Sequence, residues 1–176
     1  MSQTTGSPEF LPLRIALMTV SDSRDLASDT SGALLEEAAR TAGHQVVTRC
    51  VVADDIYRLR AQVSQWIADP AVDVVISTGG TGVTGRDSTP EALRPLLDKE
   101  IEGFGELFRH YSLAEIGPST LQSRAFAGLA NATFLFCLPG STGACRTAWE
   151  RILAPQLDRR TRPCNFAQLL PRLHER

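Results

Sequence analysis

The sequence predicts an α/β three-layer sandwich, a mostly parallel sheet covered by helices on both faces. Three observations carry this. Short apolar runs recur along the chain, and each is followed by a loop and then by a stretch with apolar residues at helical spacing. Parallel neighbours cannot be joined by tight hairpins, so strands alternating with helices imply right-handed crossovers that cover the sheet on both sides. No repeat, low-complexity tract or linker-like stretch interrupts the pattern, which predicts one domain over residues 1–176 with residues 1–12 and 160–176 as arms.

The elements follow in order. Arg14 to Val20 (RIALMTV) reads as the first strand. Asp29 to Ala42 then reads as a helix, with Asp29 or Thr30 as cap, Leu34, Leu35, Ala38 and Ala42 inward, and Gly43 as terminator. Gln45 to Val52 is a valine-rich second strand. Asp54 or Asp55 caps the next helix, whose Ile56, Leu59, Val63, Trp66 and Ile67 fall at helical spacing before Pro70 ends it. Val72 to Thr78 is the third strand, and the helix beyond its glycine-rich loop begins at Thr89-Pro90-Glu91, where proline suits the first turn and Ser88 with Glu91 fits a capping box. Thr133 to Leu138 is the fourth strand, and Pro139 to Gly143 leads into a helix running toward Leu157. Trp66 and Trp149 fall on apolar helix faces and belong to the core.

Composition bounds the function. A chain of 176 residues with 43% hydrophobic and 22% charged residues is an ordinary single domain, large enough to bury roughly 70% of its unfolded surface. No apolar run approaches the about 20 residues of a membrane span, and the N-terminus lacks the basic and apolar regions of a secretory signal. A cytoplasmic protein without membrane contact is expected. Eighteen Lys and Arg against twenty Asp and Glu give a net charge of -2, which offers no general attraction to nucleic acid. Lys99, in the charged stretch DKEIE, is the only lysine and so the single candidate for a phosphate-binding or Schiff-base role, and Cys50, Cys137, Cys145 and Cys164 show no metal-ligand spacing and read as ordinary buried or surface thiols.

Open parallel sheets bind ligands beyond the carboxyl ends of their strands. Four loops occupy that edge: Ser21-Asp22, Ala53-Asp54-Asp55, Gly79 to Asp87, and Pro139 to Gly143. The third, Gly79-Gly80-Thr81-Gly82-Val83-Thr84-Gly85-Arg86-Asp87, has more glycine than a structural turn needs, and glycines let backbone amides converge on an anion. Its Gly80 to Gly85 also fits G-x-G-x-x-G, but the loop does not itself open a helix, and no lysine followed by Ser or Thr completes a P-loop. Asp54 and Asp87 project over one edge of the sheet, where two carboxylates can hold Mg²⁺ against nucleotide phosphates or, alternatively, cap helices. Asp22 and Asp29 carry the same ambiguity. Gly140, Ser141 and Thr142 form a second anion-binding turn at a helix start, and Arg24 and Arg86 sit within the site loops, as phosphate contacts or, by default, as surface arginines. His44, His110 and His174 are dispersed, and GSTG at 140–143 is not a hydrolase elbow, so acyl transfer has little support.

These residues resemble the molybdenum cofactor biosynthesis protein B (MoaB) family, related to MogA and to the gephyrin G domain. The resemblance runs over about 160 residues by eye, through TVSDS at 19–23, DTSG at 29–32, TGGTG at 78–82 with RDSTPEA at 86–92, EGFGELFR at 102–109, STLQSRA at 119–125 and LPGST at 138–142. It implies a MogA-like, molybdopterin-binding fold and Mg-ATP-dependent adenylylation of molybdopterin, with release of pyrophosphate. It further implies Asp54 and Asp87 as catalytic and Mg²⁺-binding residues. Ser21, Asp22, Gly79, Gly80, Thr81, Gly82, Gly140 and Ser141 would contact substrate. Its expected partners are molybdopterin, ATP and further copies of the chain in a trimer or hexamer. Several relatives carry a lysine a few residues after the Pro-Gly pair, where this chain has Gly143. A binding protein that holds molybdopterin or a nucleotide without turnover is the alternative reading, and a nicotinamide oxidoreductase resting on G-x-G-x-x-G is a third.

Overall fold

The protein is described by a computed structural model over residues 8–175. Six strands form one sheet in the order β2-β1-β3-β6-β5-β4. β1 (Arg14–Val20), β2 (Gln45–Val52), β3 (Val74–Thr78) and β6 (Thr133–Leu138) are the four strands that the sequence predicts, and all run parallel. Alternation along β1 explains the layering. Ile15 and Leu17 face one core with α1 (Thr30–Thr41), α4 (Glu102–Ile116) and α5 (Thr142–Ala148). Ala16, Met18 and Val20 face the other with α2 (Ile56–Ala68) and α3 (Thr89–Leu93). Helices thus cover both faces, as expected, and Trp66 and Trp149 are buried in the two cores.

The sequence reading omitted two strands and one helix. β5 (Phe126–Ala130) extends the sheet antiparallel to β6, and β4 (Lys99–Glu100) closes that edge antiparallel to β5. The β5–β6 hairpin turns on Asn131 and Ala132, both at positive φ, and alanine there is not the usual glycine signal of such a turn. Helix α4 was hidden by Gly103 and Gly105. A side chain at Gly105 would stand 2.6 Å from the Ala125 carbonyl, so the glycine is what lets α4 pack close to the approach to β5.

Local expectations were met unevenly. Asp29 caps α1 by accepting from the Gly32 amide at 2.9 Å. The inward face of α1 carries Leu35 and Ala39, whereas Ala42 is exposed. Asp55, not Asp54, caps α2. Ser88 makes no capping hydrogen bond, because its hydroxyl goes to Asp54 Oδ1, and the expected capping box is not formed. The final helix is interrupted by a π-helical turn over Trp149–Leu153 before α6 (Ala154–Leu157). Pro155 has no N–H to give to residue 151, and the preceding turn widens around it.

Residues 1–7 and 176 of the expected arms lie outside the described residues. The remainder packs on the domain: Phe166 sits 5.0 Å from Phe134, and Phe10 sits 5.2 Å from His44, centroid to centroid. His44 is buried, and its Nδ1 accepts from the Leu13 amide at 3.2 Å. Burial pulls its pKa below the ordinary 6.5, with nearby Asp158 opposing the shift. The unfolded chain therefore binds this proton at higher pH than the folded one, so the stability involved is present above about pH 6.5 and lost as pH falls below it. We expect the melting temperature to decline from about pH 7 to pH 5 and the decline to flatten in His44→Asn, which keeps an acceptor for Leu13. An unchanged slope in that variant would assign the decline to other groups.

Candidate functional site

At the carboxyl edge of β1, β3 and β6 the chain leaves a cleft of about 570 Å³. Of the predicted site residues, Ser21, Gly79, Gly80, Thr81, Gly82, Asp87, Gly140 and Ser141 line it. Asp22 and Asp54 do not, and their positions explain why. Asp54 Oδ1 accepts from the Ser88 amide and hydroxyl, while a Cβ on Gly80 would stand 2.6 Å from Asp54 Oδ2, so this carboxylate sits against the outer side of the glycine loop. Asp22 Oδ1 accepts from the Asp54 amide at 3.1 Å, and its Oδ2 accepts from Arg86 Nε at 3.0 Å. The Arg86 guanidinium holds the Asp22 carboxyl below the usual carboxylate range. Asp22, Asp54, Arg86 and Ser88 thus tie three loops to one another.

The glycine loop is shaped by close packing. Gly79 has φ of +104° and Gly80 of +65°, and a Cβ on Gly79 would overlap the Val20 carbonyl at the end of β1. Thr89 fixes the loop from behind, its Oγ1 donating to the Gly79 carbonyl at 2.8 Å and its amide to the Gly80 carbonyl at 3.0 Å. Among the described residues, the amides of Gly80 and Thr81 have no acceptor. Asp87 Oδ2 accepts from the Thr84 amide at 2.9 Å and hydroxyl at 2.6 Å, chiefly the hydroxyl bond lowering the carboxyl's pKa.

Across the cleft, Ser141 caps α5 through the Ala144 amide at 3.1 Å, and Ser31 Oγ donates to the Gly140 carbonyl at 2.9 Å. Arg24, which also lines the cleft, donates to Thr30 Oγ1 at 3.1 Å, and that hydroxyl is 3.2 Å from Thr142 Oγ1. Asp29 reaches the cleft from below, where it is paired with Arg49 at 3.1 Å and accepts from Thr19 Oγ1 at 2.7 Å.

Two parts of the site escaped sequence reasoning. The far wall is built from α4 and the 3₁₀ segment Gly117–Gln122, which contribute Phe108, Ser112, Glu115, Ile116, Ser119, Thr120 and Gln122, with Ser123 following. Arg124 clamps the glycine loop from outside: its amide donates to the Thr81 carbonyl at 2.9 Å, Nε to that of Gly82 at 2.7 Å and Nη2 to that of Asp87 at 2.9 Å. Its remaining nitrogen pairs with Glu91. Both parts lie in the segments EGFGELFR and STLQSRA or next to them, so the signal was present as a motif without an assigned role.

Among the described residues, no group of three or more His, Cys, Asp or Glu side chains is placed to hold a metal. Thr84 binds Asp87 through Oδ2 and Ser88 binds Asp54 through Oδ1, so neither residue holds the second oxygen of its carboxylate. One or two carboxylate oxygens with substrate phosphate and water are a donor set that suits Mg²⁺. The four cysteines are free, and burial pushes the Cys137 thiol up to about 12 and the Cys145 thiol to about 11, which leaves both unreactive. No helix among the described residues is long and apolar enough to cross a membrane.

The family described as "Probable molybdopterin binding domain" matches residues 16–159. Molybdenum cofactor biosynthesis protein B of Escherichia coli (strain K12) is 61% identical over 166 residues, covering 94% of this chain and 96% of the relative. The chain belongs to the MoaB family. Its role is in molybdenum cofactor biosynthesis. A crystal structure of a molybdenum cofactor biosynthesis protein B is 40% identical with a TM-score of 0.85, covering 94% of this chain and 98% of the other. The tungsten cofactor synthesizing protein MoaB from Pyrococcus furiosus is 33% identical with a TM-score of 0.77, covering 93% and 98%. The six-stranded mixed sheet with its helices is thus the MoaB/MogA fold.

Proposed function

We propose that this MoaB-family chain binds molybdopterin and Mg-ATP and adenylylates molybdopterin, releasing pyrophosphate. The observation that carries the reading is one cleft in which the amides of Gly80 and Thr81, without acceptors among the described residues, stand beside an ionised carboxylate, Asp87. The terminal phosphate of molybdopterin forms a new P–O bond to the α-phosphorus of ATP, and the bond to pyrophosphate breaks. No protein nucleophile is required, so catalysis rests on positioning and on charge stabilisation. Gly80 and Thr81 donate to phosphate oxygen. Gly140 and Ser141 seat the second anion at the opposite turn, and Ser21 closes the space between them. Asp87 would hold Mg²⁺, which when bound neutralises the phosphates between which transfer occurs, and Asp54, outside the cleft, would act by fixing Ser88 and the loop that carries Asp87.

Trimeric or hexameric assembly in the cytoplasm completes the reading, and it is supported by the exposed Leu107, Leu113 and Leu121 on α4 and the turn beyond it. A non-catalytic binding role is the second reading. It is favoured by the charge of the cleft: among the described residues, Arg24 is the one cationic lining residue, and none has an atom within 4 Å of a side-chain position at Gly143.

The test is pyrophosphate release and adenylyl-molybdopterin formation by purified protein supplied with molybdopterin, ATP and Mg²⁺. Product that vanishes on chelation and returns on adding Mg²⁺ is expected. A folded protein that binds molybdopterin but releases no pyrophosphate would sink the enzymatic reading and leave the binding role.

A further inference from the structure

Four successive carbonyls of the glycine loop are held from outside the cleft by two residues. Thr89 Oγ1 donates to the Gly79 carbonyl at 2.8 Å and the Thr89 amide to that of Gly80 at 3.0 Å, while the Arg124 amide and Nε donate to those of Thr81 at 2.9 Å and Gly82 at 2.7 Å. A trans peptide points its C=O and N–H in opposite directions, so pinning one end aims the other. The Gly79 and Gly80 carbonyls belong to the peptides that carry the Gly80 and Thr81 amides, the two left without acceptors among the described residues. Control matters most at the Gly79–Gly80 peptide. With glycine on both sides, at φ of +104° and +65°, no Cβ opposes its rotation. One orientation offers an amide to the cleft, and the reverse offers a carbonyl oxygen, which repels phosphate. The Thr89 hydroxyl holds the first. It reaches the loop because position 80 is glycine, where a Cβ would overlap Thr89 Oγ1.

We infer that Thr89 is a positioning residue whose hydroxyl selects the orientation of the Gly79–Gly80 peptide in which the loop presents an amide, and not a carbonyl, to a phosphoryl group. This rests on the reading of the cleft as a phosphate-binding site. Thr89 is fully buried and acts through the loop, without touching substrate. Turning the peptide round would leave its buried hydroxyl without its acceptor, so the reversed orientation is disfavoured before any ligand arrives. The Gly80 amide then needs no reorganisation when phosphate binds, which is the condition under which a donor is most effective. The two amides depend on Thr89 differently. The hydroxyl aims that of Gly80, whereas the backbone N–H of residue 89 aims that of Thr81 and is kept by every replacement except proline. Side-chain substitutions at position 89 therefore act on Gly80 and spare Thr81.

The experiment follows the backbone amide resonances of wild-type protein, Thr89→Val, Thr89→Ala and Thr89→Ser during titration with Mg-ATP and with inorganic phosphate. Valine and alanine remove the hydroxyl, the first filling its space with a methyl and the second leaving it open, and serine keeps the hydroxyl alone. Thermal midpoints show which variants are folded. In the wild type the Gly80 and Thr81 amide protons are expected to move downfield on saturation with at least one probe. Folded Thr89→Val or Thr89→Ala should lose the Gly80 response, keep that of Thr81 and bind the same probe about tenfold more weakly, the loss typical of a hydrogen bond to a charged group. Thr89→Ser should regain the Gly80 response and most of the affinity. Wild-type affinity and Gly80 response in the valine or alanine variant would overturn the assignment. So would a serine variant as weak as alanine, which would trace the loss to the methyl group, or a loss that takes Gly80 and Thr81 alike. A wild type in which neither probe moves the Gly80 amide would overturn the phosphate reading and this role together, whereas absent pyrophosphate release beside the expected shifts counts against turnover alone.

Discussion

Replacing Asp87 with Asn is expected to lower kcat/KM for adenylyl-molybdopterin formation by about two to three orders of magnitude, the scale of removing one electrostatic contact to a phosphoryl-transfer centre. The fold should survive. Asn retains an oxygen that can accept from the Thr84 amide and hydroxyl, which now donate to Asp87 Oδ2, so the loop keeps its internal bonds while the negative charge is lost. Thr84→Ala is the discriminating companion, since it removes the hydroxyl donor and leaves the carboxylate. It should cost about 1 kcal/mol of stability and less than about a tenth of the rate loss of Asp87→Asn. Steady-state pyrophosphate release with thermal melts checks both. Equal rate losses in the two variants would mean that Asp87 serves the shape of the loop and not the chemistry.

The largest effect on stability is expected at Asp29→Ala. The Asp29 carboxylate has no exposed side-chain surface, and it accepts from the Gly32 amide, from Thr19 Oγ1 and from Arg49, whose side chain is 14% exposed. Among the described residues, truncation leaves the guanidinium with Glu36 at 3.0 Å as its remaining acid partner, and Arg49 Nε already has no acceptor. Removing one partner of a buried pair costs about 3 to 5 kcal/mol, and the residual Glu36 contact places the expectation at about 3 kcal/mol. For a chain of this size that is a fall of roughly 6 to 12 °C in melting temperature. Arg49→Met combined with Asp29→Ala should recover part of the loss, because it removes the stranded charge. A single variant within about 1 kcal/mol of wild type in urea titrations would show that the pair contributes little.

These two residues show how differently the site was legible. Both aspartates read in the sequence as cap or functional residue. Local rules offered Asp29 or Thr30 as the cap of α1; the structure gives the cap to Asp29, and the packing of β2 against α1 brings Arg49 to it and turns a cap into a buried ionic network. Asp54 and Asp55 competed for one cap, and the structure gave it to Asp55, leaving Asp54 to bind Ser88 behind the glycine loop. The far wall of the cleft comes from α4, whose glycines suppress the helical signal, and its contact with the glycine loop through Arg124 joins residues about forty positions apart.

By itself, the sequence determined what depends on neighbours along the chain: the alternation of strand and helix, the parallel core strands, the loops at their carboxyl ends and the glycine-rich loop that follows β3. Those signals are local, since apolar period, caps and breakers act within a few residues. The tertiary structure alone decided the antiparallel edge β5–β4, the wall of α4 with Glu115, the clamp of Arg124, and which of the candidate carboxylates face the cleft. Each of these depends on side chains that meet only after the sheet has ordered its strands, and no periodicity along the chain encodes a contact across it.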